Sequence, residues 1–261
     1  MGVSLLYALV IVVANSFGAV SGMGGGVLIK PMLDTIGADS VAAISFYATV
    51  AVFTMSVVTT GKQLQHGVKL SFNMLLWIAS GAVIGGVIGK ALLSWSLSMW
   101  SEHMVLAAQI ILTILTILFA FLNTRFNWRS FGLNGWYWQL GCGLVLGFFA
   151  SFLGIGGGPI NVALLMLLFG MPIKLATVYS LATIFCSQGA KLIAIIIAGD
   201  NLQFDLQRLW FIIPAAIVGG FVGAKLSQVL SSEKVTIVFQ LMLLVVILIN
   251  GYNGVQLLMH W

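Results

Sequence analysis

Long apolar runs separated by short polar interruptions fill the whole chain, and they are too continuous to be single faces of a water-soluble core. A membrane-crossing helix needs about 20 consecutive, mostly apolar residues. Eight runs approach that length: residues 3–21, 39–60, 71–97, 104–123, 137–153, 174–198, 208–230 and 235–258. Two further runs, 27–37 and 159–170, are too short to cross at about 1.5 Å of rise per residue and predict re-entrant or half-depth helices. Each short run follows a glycine cluster. The first is Gly22-Met23-Gly24-Gly25-Gly26 and the second is Gly154-Ile155-Gly156-Gly157-Gly158. Glycine costs about 1 kcal/mol against alanine inside a helix, so each cluster predicts a helix break. Broken helix at membrane depth is tolerated only where protein buries it or where it lines a cavity.

The pattern is doubled. The glycine clusters stand 132 residues apart, Ala48-Thr49 and Ala182-Thr183 stand 134 apart, and so do Gly85-Gly86-x-x-Gly89 and Gly219-Gly220-x-x-Gly223. The order of the three anchors is the same in both halves. The most polar central stretch, 123–136, carries Arg125 and Arg129. We read a first transmembrane repeat over 1–124, a linker over 125–136 and a second repeat over 137–261. Matched, glycine-interrupted hydrophobic segments in two halves of a chain point to a transporter's binding site near mid-membrane. The GGxxG pairs lie mid-span, where small residues let helices approach closely.

Composition supports a membrane protein. Of 261 residues, 61% are hydrophobic and 7% charged, against about 25% charged in soluble domains. The expected class is all-α and integral to the membrane, with about eight transmembrane helices, Gly-rich breaks and half-helices after the first and fifth spans. A multi-pass protein of the bacterial plasma membrane is the expected location. The opening segment lacks the basic region of a signal peptide and reads as a retained first span. Trp95, Trp100, Trp128, Trp136, Trp138, Trp210 and Trp261 fall near span ends, as in an aromatic belt. With eight simple spans, Lys62, Lys69, Arg125, Arg129 and Arg208 share a side with both termini, and Lys30, Lys174 and Lys234 lie opposite. That count favours termini inside.

The net charge of +5 is spread over scattered basic residues, so nucleic acid is not an expected partner. Cys142 and Cys186 sit in apolar runs without metal spacing and read as small hydrophobes. No catalytic set, metal set or phosphate-binding loop is visible, and no cofactor is expected. The acidic residues Asp34, Asp39, Glu102, Asp200, Asp205 and Glu233 fall at predicted ends or loops. The missing mid-span carboxylate favours an anion over a cation as ligand and leaves proton coupling without an evident carrier. Glycine lets backbone approach a ligand, and the helices that start after the clusters would offer free N–H groups and a positive dipole end. Ser180, Thr183, Ser187, Gln188 and Lys191 share one face of the sixth span, and Ser45, Thr49 and Ser56 form a thinner stripe on the second. Lys90, Lys191 and Lys225 lie in the last thirds of their spans, where snorkelling to the interface is the default. Lys191 is the exception because it ends the polar stripe, and Lys30 adds positive potential near the first cluster.

A GxGGG after the first span and again in the second half, an Ala-Thr pair in the following span and GGxxG in the next together resemble the sulfite exporter TauE/SafE family over nearly the whole chain. The family's proline after the glycines is matched by Pro31, whereas Pro159 follows Gly158 directly. The resemblance implies a secondary transporter of small sulfur-containing anions such as sulfite, thiosulfate or organosulfonates. The expected substrate-binding residues are Gly24, Gly25, Gly26, Thr49, Gly156, Gly157, Gly158, Thr183, Ser187 and Lys191, with no catalytic and no metal-binding residue. Expected partners are the small anion and the lipid bilayer, with homo-oligomerisation left open. The alternatives are a passive anion channel and a non-transporting membrane scaffold for a sulfur-handling enzyme.

Overall fold

The chain was analysed as a computed structural model that describes residues 2–68, 70–126, 128–155, 157–199 and 203–259. The described residues form ten α-helices and no strand. In chain order these are α1 (Gly2–Ser21), α2 (Gly26–Ile36), α3 (Val41–Gln65), α4 (Phe72–Met99), α5 (Glu102–Phe126), α6 (Trp136–Phe152), α7 (Pro159–Phe169), α8 (Ile173–Ala198), α9 (Leu209–Val229) and α10 (Ser232–Met259). Seven helices are long and apolar enough to cross a membrane, and α6, with 17 residues, makes eight long helices with them. The short helices α2 and α7 have 11 residues each. Every expected run is therefore a helix. The largest departure is α3, which continues through Gly61–Gln65 where a loop was expected. Lys62, Gln63 and Leu64 are good helix formers, and the buried Gln63 reaches Ser227 on α9.

The short helices turn back. Tyr7 on α1 donates a 2.7 Å hydrogen bond to Asp39, just beyond α2, so the end of α2 lies beside the start of α1. The N–H groups of Phe131 and Leu133, just before α6, donate to the carbonyls of Leu167 and Leu168 in α7, each at 2.8 Å. That contact returns α7 to the start of α6. Each pair is a re-entrant hairpin closed by a glycine at its far end, Gly37 or Gly170, with φ of 65° and 67°. Three long helices, α3 to α5, separate the hairpins, so the second enters from the opposite face. We call these the α1 face and the α6 face. The remaining helices α8, α9 and α10 bring the chain back to the α1 face.

The hairpins are locked by small residues. A Cβ added at Gly81, Gly85 or Gly89 of α4 would strike the carbonyl of Leu140, Leu144 or Phe148 on α6, and one at Gly143 or Gly147 of α6 would strike the carbonyl of Ile78 or Ala82 on α4. The same relation joins α1 and α9. Gly219 lies against Val12 and Asn15, and Gly223 against Ser16 and Ala19. Helix association in lipid rests on such close backbone packing because the lipid tails are as apolar as leucine. The GGxxG pairs are thus packing devices, as their mid-span position implied.

An ion pair fixes the α1 face. Asp39 accepts from Arg208 at 2.5 Å while Tyr7 donates to the same carboxylate oxygen, and the guanidinium lies 5.4 Å from the Tyr7 ring centroid. Trp95, Trp100, Trp128, Trp136, Trp138 and Trp210 are exposed near helix ends, as an aromatic belt requires. Trp261 lies outside the described residues. The protein is a multi-pass integral membrane protein.

Replacing Gly147 with valine drives side-chain atoms into α4 and is expected to lower stability by about 2–3 kcal/mol. Gly141→Val, on the open side of the same helix where an added Cβ meets nothing within 4 Å, is expected to be nearly neutral. Thermal unfolding of both variants in detergent compares them.

Candidate functional site

The two hairpin tips meet. A Cβ added at Gly26 would strike the Ile155 carbonyl oxygen, and one added at Gly157 would lie 3.2 Å from the Met23 carbonyl oxygen. Val52 and Ile184, each near the middle of its long helix, close on the tips. The Ile184 Cδ1 lies 3.3 Å from a Cβ added at Gly24 and 2.6 Å from one at Gly157, and the Val52 Cγ2 lies 3.0 Å from one at Gly26. The junction thus sits at mid-depth, plugged by apolar side chains. Gly22, Gly24, Gly154 and Gly157 all have φ between 69° and 150°, a region that other L-residues rarely adopt.

Helix breaks expose backbone groups, and the fold answers several of them. Ser180 on α8 donates at 2.6 Å to the Gly22 carbonyl. The Gly24 N–H donates to the Gly18 carbonyl. At the second tip, Gln109 on α5 donates at 2.6 Å to the Phe152 carbonyl, one of the last four of α6 that lack an intrahelical partner. Asn123 donates to the Ala163 carbonyl in α7. The starts of α2 and α7 have no side-chain cap and no acidic residue in the first turn, so both present their positive dipole ends at the junction.

A cavity of about 290 Å³ runs from the second tip toward the α1 face. Its walls come from α3, α4, α6 and α8, and its polar lining comprises Ser45, Lys90, Ser94, Ser151, Ser187 and Lys191. No acidic side chain is among the described residues that line it. Lys191 lies 3.5 Å from the Ser45 hydroxyl, and Lys30 and Lys90 both act electrostatically on it. Lys30 points at the second tip from α2, with its Nζ 3.3 Å from a Cβ added at Gly154. A second cavity of about 520 Å³ is lined by Lys30, Asp34, Asp39, His103, Gln109 and Asn250 among others. It too ends on the second tip, at Leu153 and Ile155.

Of the residues singled out from sequence, Ser187 and Lys191 line the smaller cavity. Gly24, Gly25, Gly26, Gly157 and Gly158 are buried in the tip junction, and Gly156 lies outside the described residues. Thr49 and Thr183 lie on the two plugging helices, but their hydroxyls donate backward along their own helices to Ser45 and Tyr179 and line neither cavity. Lys90, expected to snorkel, is exposed and also lines the cavity. Ser151, Val52 and Ile184 were not anticipated. The last two are not equivalent positions, since at the 134-residue offset of their helices Val52 corresponds to Cys186.

The sulfite exporter TauE/SafE family model matches residues 7–249, and the chain belongs to that family. It is 24% identical over 269 residues to the "Probable membrane transporter protein YunE" of Bacillus subtilis (strain 168), an alignment covering 93% of this chain and 95% of the relative. No solved structure matches it. The chain is a membrane transporter and not an enzyme.

A methyl group at Gly26 has no room between the tips. Gly26→Ala is expected to cut transport at least about tenfold, the usual scale of a displaced site element, with membrane insertion unchanged. Gly251→Ala, where an added Cβ meets nothing within 4 Å, is expected to transport normally. Flux per inserted protein in vesicles makes the comparison.

Proposed function

We propose that the chain is a secondary transporter of small sulfur-containing anions, sulfite, thiosulfate or an organosulfonate, and that it works by alternating access around the tip junction. The observation that carries this reading is the cluster of ammonium groups on the smaller cavity, Lys90 and Lys191, with Lys30 at its tip-side end. Placing one charged lysine at mid-helix in a membrane costs about 2.5–3.5 kcal/mol. Lys90 and Lys191 share a lining that carries no carboxylate, with Lys30 close by, which fits a site built for an anion. Ser45, Ser151 and Ser187 add hydroxyl donors, and the positive ends of α2 and α7 lie just below.

The two halves, 1–124 and 137–261, act as inverted repeats in this reading. The support is the pair of hairpins that enter from opposite faces and the reciprocal packing of α4 on α6 and α9 on α1. The apolar junction of Val52, Ile184 and the tips is the closed gate, and rocking of the two seam-bound units, α4 with α6 and α1 with α9, against each other opens the path to the α6 face. Thr49, Thr183 and the tip glycines contact the anion as that gate opens.

The hairpins also change the reading of orientation. Because α2 and α7 return to their own faces, Lys62, Arg125, Arg129, Lys174, Lys225 and Lys234 all belong to the α6 face, whereas Arg208, with Asp39 and Asp205, belongs to the α1 face. Simple spans had put Lys174 and Lys234 opposite Lys62. Short cytoplasmic loops carry the excess of Lys and Arg, so the α6 face is cytoplasmic and both cavities open outward.

Two experiments test these statements. In proteoliposomes presented with sulfite, sulfate, thiosulfate and an organosulfonate, Lys191→Met is expected to raise the half-saturating concentration of the transported anion about tenfold or more, equivalent to 1.4 kcal/mol of binding. Unaltered saturation in that variant overturns the site. With Cys142 and Cys186 replaced, a membrane-impermeant maleimide is expected to label Gln207→Cys in intact cells and Arg129→Cys only after permeabilisation. The reverse pattern overturns the orientation.

A further inference from the structure

Polar side chains buried at membrane depth are costly and mark pathways, and one set of them lies outside both cavities. Between the tip junction and the α6 face, α3 and α9 close on each other through neutral polar groups. Asn15 heads the set. Its Nδ2 donates at 3.3 Å to the Ala51 carbonyl of α3, its Cβ lies against Gly219 of α9 and its Oδ1 lies over Gly25 of the first tip. Further along, the Thr59 hydroxyl bonds the Met55 carbonyl at 2.8 Å and reaches the Gly220 carbonyl of α9 at 3.3 Å. Gln63 then donates to Ser227 at 3.5 Å. Asn15, Thr59, Gln63 and Ser227 are all buried. Between Ala51 and Gln63 α3 advances about 18 Å, which carries the set from mid-depth to the α6-face end of the helix.

Two observations set this contact apart from ordinary packing. Asn15 Oδ1, Thr60 Oγ1 and Gln228 Nε2 are enclosed without a hydrogen-bond partner among the described residues. An enclosed polar atom without a partner is unfavourable, so the closed contact carries a cost that a filled, open gap removes. The positions are also those of the smaller cavity in the other half of the chain. At the 134-residue offset of the Ala-Thr and GGxxG anchors, Gly220, Ser227 and Gln228 of α9 correspond to Gly86, Leu93 and Ser94 of α4, and Thr60 of α3 corresponds to Ala194 of α8. Gly86, Leu93, Ser94 and Ala194 all line the smaller cavity. The α4–α8 interface is thus open where its counterpart, α9–α3, is shut.

We propose that the α3–α9 interface is the inner half of the anion's path, closed in this structure, and that Thr60, Ser227 and Gln228 hold the anion as it leaves toward the α6 face. The inference rests on the reading of the chain as an alternating-access anion transporter. When the α1–α9 unit rocks, α9 parts from α3, and the Thr60 hydroxyl and the Gln228 amide gain the anion as the acceptor they lack. No ammonium belongs to the set. Lys90 and Lys191 correspond to Ala224 and Val57, and the ammonium of Lys62 lies over the Phe221 ring, 4.6 Å from its centroid. The anion therefore meets donors but no full opposite charge on this side, which suits release.

The test needs a protein with Cys142 and Cys186 replaced, in proteoliposomes of one orientation, with Arg129→Cys and Gln207→Cys marking the α6 and α1 faces. A membrane-impermeant maleimide at the α6 face is expected to label Thr59→Cys and Ser227→Cys, one on each wall, and to leave Val222→Cys, exposed on the outer side of α9, unlabelled. Prior reaction of Ser187→Cys with a maleimide from the α1 face props the smaller cavity open, and is expected to slow labelling of Thr59→Cys in the double variant about fivefold or more, the lower range of coupling between sites. Thr60→Val removes an enclosed, unpartnered hydroxyl. It is expected to unfold at no lower temperature than wild type and yet to lower maximal anion flux about fivefold, the factor that one hydrogen bond supplies. Wall thiols that stay unlabelled from the α6 face, labelling of Val222→Cys at the same rate, or labelling indifferent to the propped cavity overturns the path. Unaltered flux in Thr60→Val overturns the role of Thr60. Absence of wild-type flux for sulfite, sulfate, thiosulfate and an organosulfonate overturns the transport reading on which the proposal rests, whatever the labelling.

Discussion

Unsatisfied backbone in hydrocarbon is the constraint on which this molecule is built. Each missing partner costs several kcal/mol, so two helix breaks in one chain can persist only if something covers them. Here each break covers the other. The tips approach until the Gly26 Cα faces the Ile155 carbonyl and Gly157 faces the Met23 carbonyl, with Val52 and Ile184 filling the sides. Neighbouring side chains serve two more groups, Ser180 at the Gly22 carbonyl and Gln109 at the Phe152 carbonyl. Glycine is required twice over, for backbone angles that other residues resist and for a separation that any Cβ would prevent.

Holding two hairpins tip to tip from opposite faces demands strong lateral anchorage, and the same residue type supplies it. The α4–α6 and α1–α9 seams bring backbone against backbone, with carbonyl oxygens of one helix over glycine Cα atoms of the other. Each seam ties a hairpin of one half to a long helix of the other half. A hairpin therefore cannot shift without moving a helix from the opposite end of the chain, which is the mechanical linkage a rocking transporter needs.

Much of this was legible in the sequence. The breaks, the short helices that follow them and the packing role of Gly85, Gly89, Gly219 and Gly223 depend on local propensity and spacing, and all of them appear. Whether α2 returns to its own face or completes a crossing is a different kind of fact. It rests on contacts such as Tyr7 with Asp39 and Phe131 with Leu167, and apolar patterning along the helices carries no trace of them. The grouping of the loop lysines and arginines changes for that reason, since one returning segment reassigns every later loop. The polar stripe on α8 was correctly drawn as one inward face, but its members divide their work. Ser180 secures a tip, Thr183 bonds its own helix, and Ser187 and Lys191 line the cavity. Hydroxyls can serve backbone or ligand equally well, and only the location of the nearest acceptor decides between them. The proximity of Lys30 to Gly154 crosses the two halves of the chain and could not be read from either half alone.

The doubled framework does not carry doubled chemistry. Glycines and short helices recur 132 to 134 residues later, yet the positions corresponding to Lys30 in α7 are Val162, Ala163 and Leu164, and those corresponding to Lys191 in α3 are Val57, Val58 and Thr59. The cations near the junction are therefore concentrated on the α1 side. In the proposed cycle an anion meets its attractive field on that side of the gate and leaves it behind on crossing. Because α7 lacks a counterpart to Lys30, the second hairpin offers no comparable hold when the path opens to the α6 face. Tight capture on one side and weak retention on the other bias a carrier toward release at the α6 face. In that cycle it is the one-sided set of charges, and not the recurring glycines and short helices, that gives the two faces unequal affinity for the same anion.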